Sequence, residues 1–177
     1  MQFTSTLLLA ASALFSLATA NTVEFVNQDG TTRNIVFTAQ EGLAAVAPIV
    51  LEGYGTATVT FPPSWIGNWY SYNEGAANVP GMLGEVRWNG FADSNYFDVS
   101  AIVNPTDIEG VKMIFPKNSQ TPVSGCQTFP CSNAYNQPND IATLSTEDDE
   151  LVCLVGTLSS SRRRSAIARM PREFIEA

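Results

Sequence analysis

Apolar and polar residues alternate one by one along most of this chain, in short runs separated by Gly, Pro, Asn and Asp. In Thr22-Val23-Glu24-Phe25-Val26-Asn27, Val23 and Phe25 fall on one side of an extended backbone and Thr22 and Glu24 on the other, the period of a half-buried strand. Gln28-Asp29-Gly30 then supplies turn chemistry before Arg33-Asn34-Ile35-Val36-Phe37-Thr38 resumes the alternation, which predicts an opening hairpin. Further strands are predicted at Ile49–Leu51, Thr56–Phe61, Trp69–Tyr72, Gly84–Trp88, Tyr96–Ile102, Val111–Phe115 and Leu151–Val155. No helical period runs beyond two turns and no internal repeat is evident. Short strands at this spacing predict an all-β fold, an antiparallel β-sandwich or barrel, in a single domain over residues 21–156.

Both ends of the chain depart from this pattern. Leu7 to Leu17 is an uncharged apolar run too short to span a bilayer, and Ala18-Thr19-Ala20 follows it as a small-x-small cleavage sequence. Residues 1–20 are therefore expected to be a signal peptide, with Asn21 as the mature start and an extracellular, secreted product. Residues 157–177 hold Arg162, Arg163, Arg164, Arg169 and Arg172 and are expected to be a basic, disordered tail.

Charge and composition narrow the chemistry. The chain has 177 residues, a net charge of −8 and no His. Residues 21–161 contain four cations against fifteen acids, a balance of −11. Nucleic-acid backbones and anionic membranes select Lys/Arg patches, so neither is an expected partner. Without His, the Ser-His-Asp and Cys-His systems, His-ligated zinc and an imidazole base are excluded, and carboxylates must carry any acid-base chemistry. Export would let Cys126, Cys131 and Cys153 pair. Three cysteines allow one bridge with three choices of pair; a bridge to Cys153 would close a loop worth about 3 kcal/mol.

Gly84-Glu85-Val86, Tyr96-Phe97-Asp98-Val99-Ser100-Ala101-Ile102, Gly125-Cys126 with Cys131, and Asn133-Ala134-Tyr135-Asn136-Gln137-Pro138-Asn139-Asp140 occur in that order. Over residues 22–156 this set resembles the thaumatin-like proteins, most closely a short, cysteine-poor, fungal secreted branch, some of whose members are labelled "DNase1 protein". The resemblance implies a β-sandwich of about ten strands with an acidic cleft, and antifungal, glucan-binding or inhibitory roles outside the cell. Two of the cleft positions correspond to Glu85 and Asp98. Val103 stands where the family often has a second Asp, and Ser71 falls near its Arg.

A glycosidase needs two carboxyls about 5–5.5 Å apart for retention or 6.5–9.5 Å for inversion, one of them with a raised pKa. Glu85 and Asp98 are the candidates for a weak β-1,3-glucanase. The other readings are a polar strand face, an inhibitor of glycosidases, and a cleft that binds without cutting; the last is the expectation. Trp65, Tyr70, Tyr72 and Trp88 are further candidate ligand contacts, because sugar rings stack their C–H faces on flat aromatic rings. Alternation sends Trp69 and Ser71 one way and Tyr70 and Tyr72 the other. Glu147-Asp148-Asp149-Glu150 lacks the alternating spacing of a Ca²⁺ loop and reads as a solvated turn, so no metal and no cofactor is expected. A nuclease would need metal-held water or a His base with cationic support, which this composition does not favour. The expected partner is a polysaccharide such as β-glucan or an extracellular protein, bound by a monomer.

Overall fold

A computed structural model describes residues 20–158. The proposed signal segment before Ala20 and the basic tail beyond Leu158 lie outside the described residues. The strands are β1 (Thr22–Asn27), β2 (Arg33–Ala39), β3 (Ile49–Leu51), β4 (Thr56–Thr60), β5 (Ile66–Asn73), β6 (Leu83–Arg87), β7 (Asn95–Ser100), β8 (Val111–Pro116), β9 (Ser124–Gly125), β10 (Leu144–Thr146) and β11 (Glu150–Val155). A short 3-10 turn at Phe91–Asp93 precedes β7.

The strands form two sheets, one ordered β4-β1-β11-β8-β9 and the other β10-β7-β6-β5-β2-β3. Their inward faces meet in one core, so the molecule is an all-β sandwich. Val23, Phe25, Leu151, Cys153 and Ile114 from the first sheet pack on Ile35, Trp69, Val86, Phe97 and Val99 from the second. Between the named strands pairing is antiparallel except for β1 with β11, which run parallel with Phe25 opposite Cys153.

The expected opening hairpin does not form. β1 pairs with β4 and β11, whereas β2 pairs with β3 and β5 in the opposite sheet. Residues 28–32 do turn the chain, but the turn carries it from one layer to the other. Arg33 holds this corner from a fully buried position. Its Nη1 and Nη2 donate to Asp29 Oδ1 and Oδ2 at 2.7 and 2.9 Å, Nη1 also donates to the Thr31 carbonyl at 2.9 Å, and Nε donates to the Glu109 carbonyl at 3.2 Å. Alternation marks which side of a strand is buried; it carries no information about the neighbouring strand.

An aromatic cluster fills the middle of the sandwich. Phe25 meets Trp69 edge-on with centroids 5.5 Å apart, and Phe61 lies 4.9 Å from Trp65 and 6.0 Å from Trp88. The sheet makes room for these rings with glycine. A Cβ at Gly84 would fall 2.5 Å from the Trp69 indole, and one at Gly67 would fall 2.6 Å from the Trp65 ring. Trp69 Nε1 donates to Cys153 Sγ at 3.3 Å across the two layers.

That contact settles the cysteines. The bridge joins Cys126 to Cys131, and Cys153 is a free thiol in the core. A bond from either partner to Cys153 is thereby ruled out. Cys153 alternates inward with Leu151 and Val155 on β11, so its side chain belongs to the core, while Cys126, also buried, and the half-buried Cys131 lie in the loop that follows β9.

Candidate functional site

Because β5, β6 and β7 bury Trp69, Val86 and Phe97, the residues between them must point away from the core. The register then aligns them. Thr38 lies opposite Asn68, Asn68 opposite Glu85, and Glu85 opposite Asp98. Thr143, just before β10, extends the line by donating from Oγ1 to Asp98 Oδ2 at 3.1 Å. With strands spaced about 4.8 Å apart, this polar row crosses roughly 19 Å of the outer sheet face. It forms the floor of an open groove of about 880 Å³.

The walls come from the 3-10 turn, the start of β7 and the loops after it. Phe91 and Tyr96 rise at one side, while Ile102, Tyr135 and Pro138 close the other. Tyr135 is held by backbone bonds to β7: its N–H donates to the Val99 carbonyl at 2.9 Å, and Ala101 N–H donates to the Tyr135 carbonyl at 2.7 Å. Asp140 Oδ2 accepts the Asn136 and Gln137 N–H groups at 2.8 Å each, folding the turn that presents Pro138. Asn136 Nδ2 donates to the Cys131 carbonyl at 2.8 Å, tying this wall to the disulfide loop.

The electrostatics centre on Asp98. It is 7% exposed, although it lines the groove. Burial, then the adjacent Glu85 carboxyl, push its pKa up to about 7 against the opposing bond from Thr143. Glu85 and Asp98 stand directly opposite each other across β6 and β7, a pairing of carboxyls that is favourable only with a proton between them. When both are ionised, Asp98 Oδ1 has no partner. Thr143 spends its proton on Asp98, so the Tyr135 hydroxyl donates to Thr143 at 2.9 Å and completes a relay from Tyr135 through Thr143 to Asp98. Among the described residues neither carboxyl forms an ion pair, although Arg87 also lines the groove.

Of the residues singled out from the sequence, the structure brings Glu85 and Asp98 together. The four aromatic candidates lie elsewhere. Trp65 and Trp88 are 1% and 0% exposed in the core, where Trp65 Nε1 donates to the Ala44 carbonyl at 2.9 Å. Tyr70 is buried with its hydroxyl on Asn78 Oδ1 at 2.7 Å. Tyr72 borders a separate shallow hollow with Val79 and Asp107. Tyr70 and Tyr72 do face outward, but they stand two and four positions past Asn68 on β5, roughly 7 and 13 Å along the strand. The groove aromatics are instead Phe91, Tyr96 and Tyr135. Tyr96 was accessible to alternation, being two residues from Asp98; Tyr135 and Thr143 reach the site through loop folding that no local pattern encodes.

No family model matches the chain. The sandwich is similar to the crystal structure of the protein elicitor MoHrip2 from Magnaporthe oryzae, with a TM-score of 0.61 and 14% identity, covering 78% of this chain and all of that one. At the level of sequence, the chain is 48% identical over 138 residues to the antigenic protein SchS21 of Stachybotrys chartarum, covering 78% of this chain and 96% of that protein. It belongs to the family of that antigenic protein.

Proposed function

We propose that the protein is a secreted, thaumatin-like recognition protein of the effector or antigen type, which binds a cell-wall glycan or an extracellular partner in the Glu85/Asp98 groove without cleaving it. The observation that carries this reading is the polar row Thr38-Asn68-Glu85-Asp98-Thr143 lying open between aromatic walls. Such a floor offers side-chain donors and acceptors along a line, while Tyr96, Tyr135 and Phe91 offer apolar faces. The antigenic relative and the elicitor-like fold agree with a role outside the cell. Pull-down on insoluble β-1,3-glucan tests it: retention of the protein without release of reducing ends, weakened by Asn68→Ala and Asp98→Asn, is the expected result. Failure to bind glucan or any extracellular protein fraction through this groove would refute it.

One observation favours a second reading. An acid with a pKa near 7 beside another carboxyl is the pairing that a glycosidase uses. Glu85 and Asp98 are direct cross-strand neighbours on β6 and β7 and line the same groove, so whether they flank a glycosidic bond is read from activity. Sugar release from laminarin that disappears in Glu85→Gln would favour the enzyme over the binder.

A further inference from the structure

We infer that the Glu85/Asp98 pair is an anchor for an aliphatic primary ammonium, the chemistry shared by polyamines and by lysine side chains. This rests on the reading of the groove as a ligand site and narrows what enters it. Asp98 is more than nine-tenths buried, yet its Oδ1 lacks any donor when the pair is ionised. A buried acceptor without a partner is costly and is satisfied by whatever donor the groove admits.

Two donors can fill that place, a proton shared with Glu85 or an N–H from a ligand. A hydroxyl would satisfy the hydrogen bond but leave two adjacent negative charges uncompensated. An ammonium satisfies both at once, and it does so through a charge-assisted bond. The surroundings suit the rest of such a ligand. Ile66, Ile102, Tyr135 and Pro138 provide apolar surface for a methylene chain, and the acids lie at the floor. Asn68 and Glu85, in the middle of the row, are paired on both sides in the sheet ladder. At the acids the groove therefore offers side chains to a ligand in preference to free backbone groups.

The charged and titratable groups facing the pair are Arg87 on the Glu85 strand, Tyr96 on the Asp98 strand and Tyr135 from the overlying segment; β5 and β2 contribute the neutral Asn68 and Thr38. Arg87 is exposed and forms no ion pair with either carboxyl, so it tempers the anchor without occupying it. Because an entering ammonium displaces the shared proton, binding strengthens as the solution is made less acidic, over the interval in which Asp98, pushed up to about 7, loses its proton. Polyamine and lysine amines stay charged across that interval.

The test is calorimetric titration of the full protein at fixed ionic strength, at pH 5 and pH 8. The probes are spermidine, a short peptide with one lysine, a neutral diol of similar length and a β-1,3-glucan oligosaccharide. Expected results are binding of an amine at pH 8, weakening of about a hundredfold at pH 5 where the proton on Asp98 competes, and loss in both Asp98→Asn and Glu85→Gln. Arg87→Gln should tighten it, and Glu147→Gln, which removes an acid outside the groove, should leave it unchanged. Spermidine alone binding would identify a free polyamine as the source; preference for the peptide would identify a partner's lysine. The inference is overturned if neither amine binds, if the diol binds equally well, or if Asp98→Asn binds amines as wild type does. Binding of the glucan oligosaccharide without the amines would sink this inference and leave the groove reading standing, whereas silence from every probe would count against both.

Discussion

Asp98→Asn should make the protein more stable in alkaline than in acidic solution relative to wild type, because the fold penalises the charged form of this side chain. An unfolded aspartate releases its proton near 3.8, while Asp98 in the groove holds its own up to about 7. The sign follows from where the proton sits. Below 3.8 both states are protonated and there is no penalty. Between 3.8 and 7 the native state retains a proton that the unfolded chain has released, so stability falls as pH rises; above 7 the loss is complete and constant. At 1.36 kcal/mol for each unit, the full penalty is about 4 kcal/mol. Asparagine keeps the shape, can donate to Glu85 and accept from Thr143, and carries no charge to desolvate. The variant should therefore gain on wild type by up to about 4 kcal/mol between pH 4 and pH 8, roughly 10 °C in Tm at the upper pH. Urea unfolding of both proteins across that range measures the difference directly. Part of the penalty is repulsion from Glu85, so Glu85→Gln should show a smaller gain of the same sign, and the two substitutions should not add. A wild-type-to-variant gap that does not change with pH would refute the assignment of a buried, proton-sharing pair.

Other substitutions test the frame around the groove. Asp29→Ala should cost about 3–5 kcal/mol, since it strands the buried Arg33 guanidinium without its bidentate partner. Burial raises the Asp29 pKa but bonds from Arg33, Thr31 and Thr157 outweigh it and hold the carboxyl below the usual range, so its contribution is present above about pH 4 and fades as the solution is acidified further. Gly84→Ala should destabilise by about 1–3 kcal/mol or block folding, because the new methyl meets the Trp69 ring, and denaturant midpoints will show it. Cys153 should resist alkylation in the native protein and react only on unfolding, as burial pushes its thiol up to about 12; intact mass after iodoacetamide, with and without denaturant, reads this out. Opening the Cys126–Cys131 bridge by Cys131→Ser should cost about 2 kcal/mol, the short loop limiting the entropy it removes.

The strands were legible wherever side chains alternate between core and surface. Val23 with Phe25, Ile35 with Phe37, and Leu151 with Cys153 each mark one buried side. β9 and β10 were not, because Ser124-Gly125 and Leu144-Ser145-Thr146 are too short to show a period. Partner choice was equally hidden, as the corner at Arg33 demonstrates: the clamp joins Asp29 and the distant Glu109 carbonyl, a contact that depends on the finished fold. At the site, the motif order drew attention to Glu85 and Asp98, and the register of β6 and β7 places them side by side. Trp65 and Trp88 lie in the core, where a large flat ring serves as well as it would serve a ligand. The informative residues were the glycines. Gly84 and Gly67, small positions within strands, mark where indoles lie against the sheet and therefore face inward.

The parallel union of β1 with β11 joins the first strand of the domain to its last, in the interior of a sheet. During synthesis, Val23 and Phe25 must wait for Leu151 and Cys153 to leave the ribosome before that layer can close. Until then β1 and β8 each lack a neighbour, and the nascent chain exposes two unpaired hydrophobic borders. A product truncated before Glu150 would lose the seam between the halves of that sheet, which makes a stop codon near the end of the domain as damaging as one near its middle.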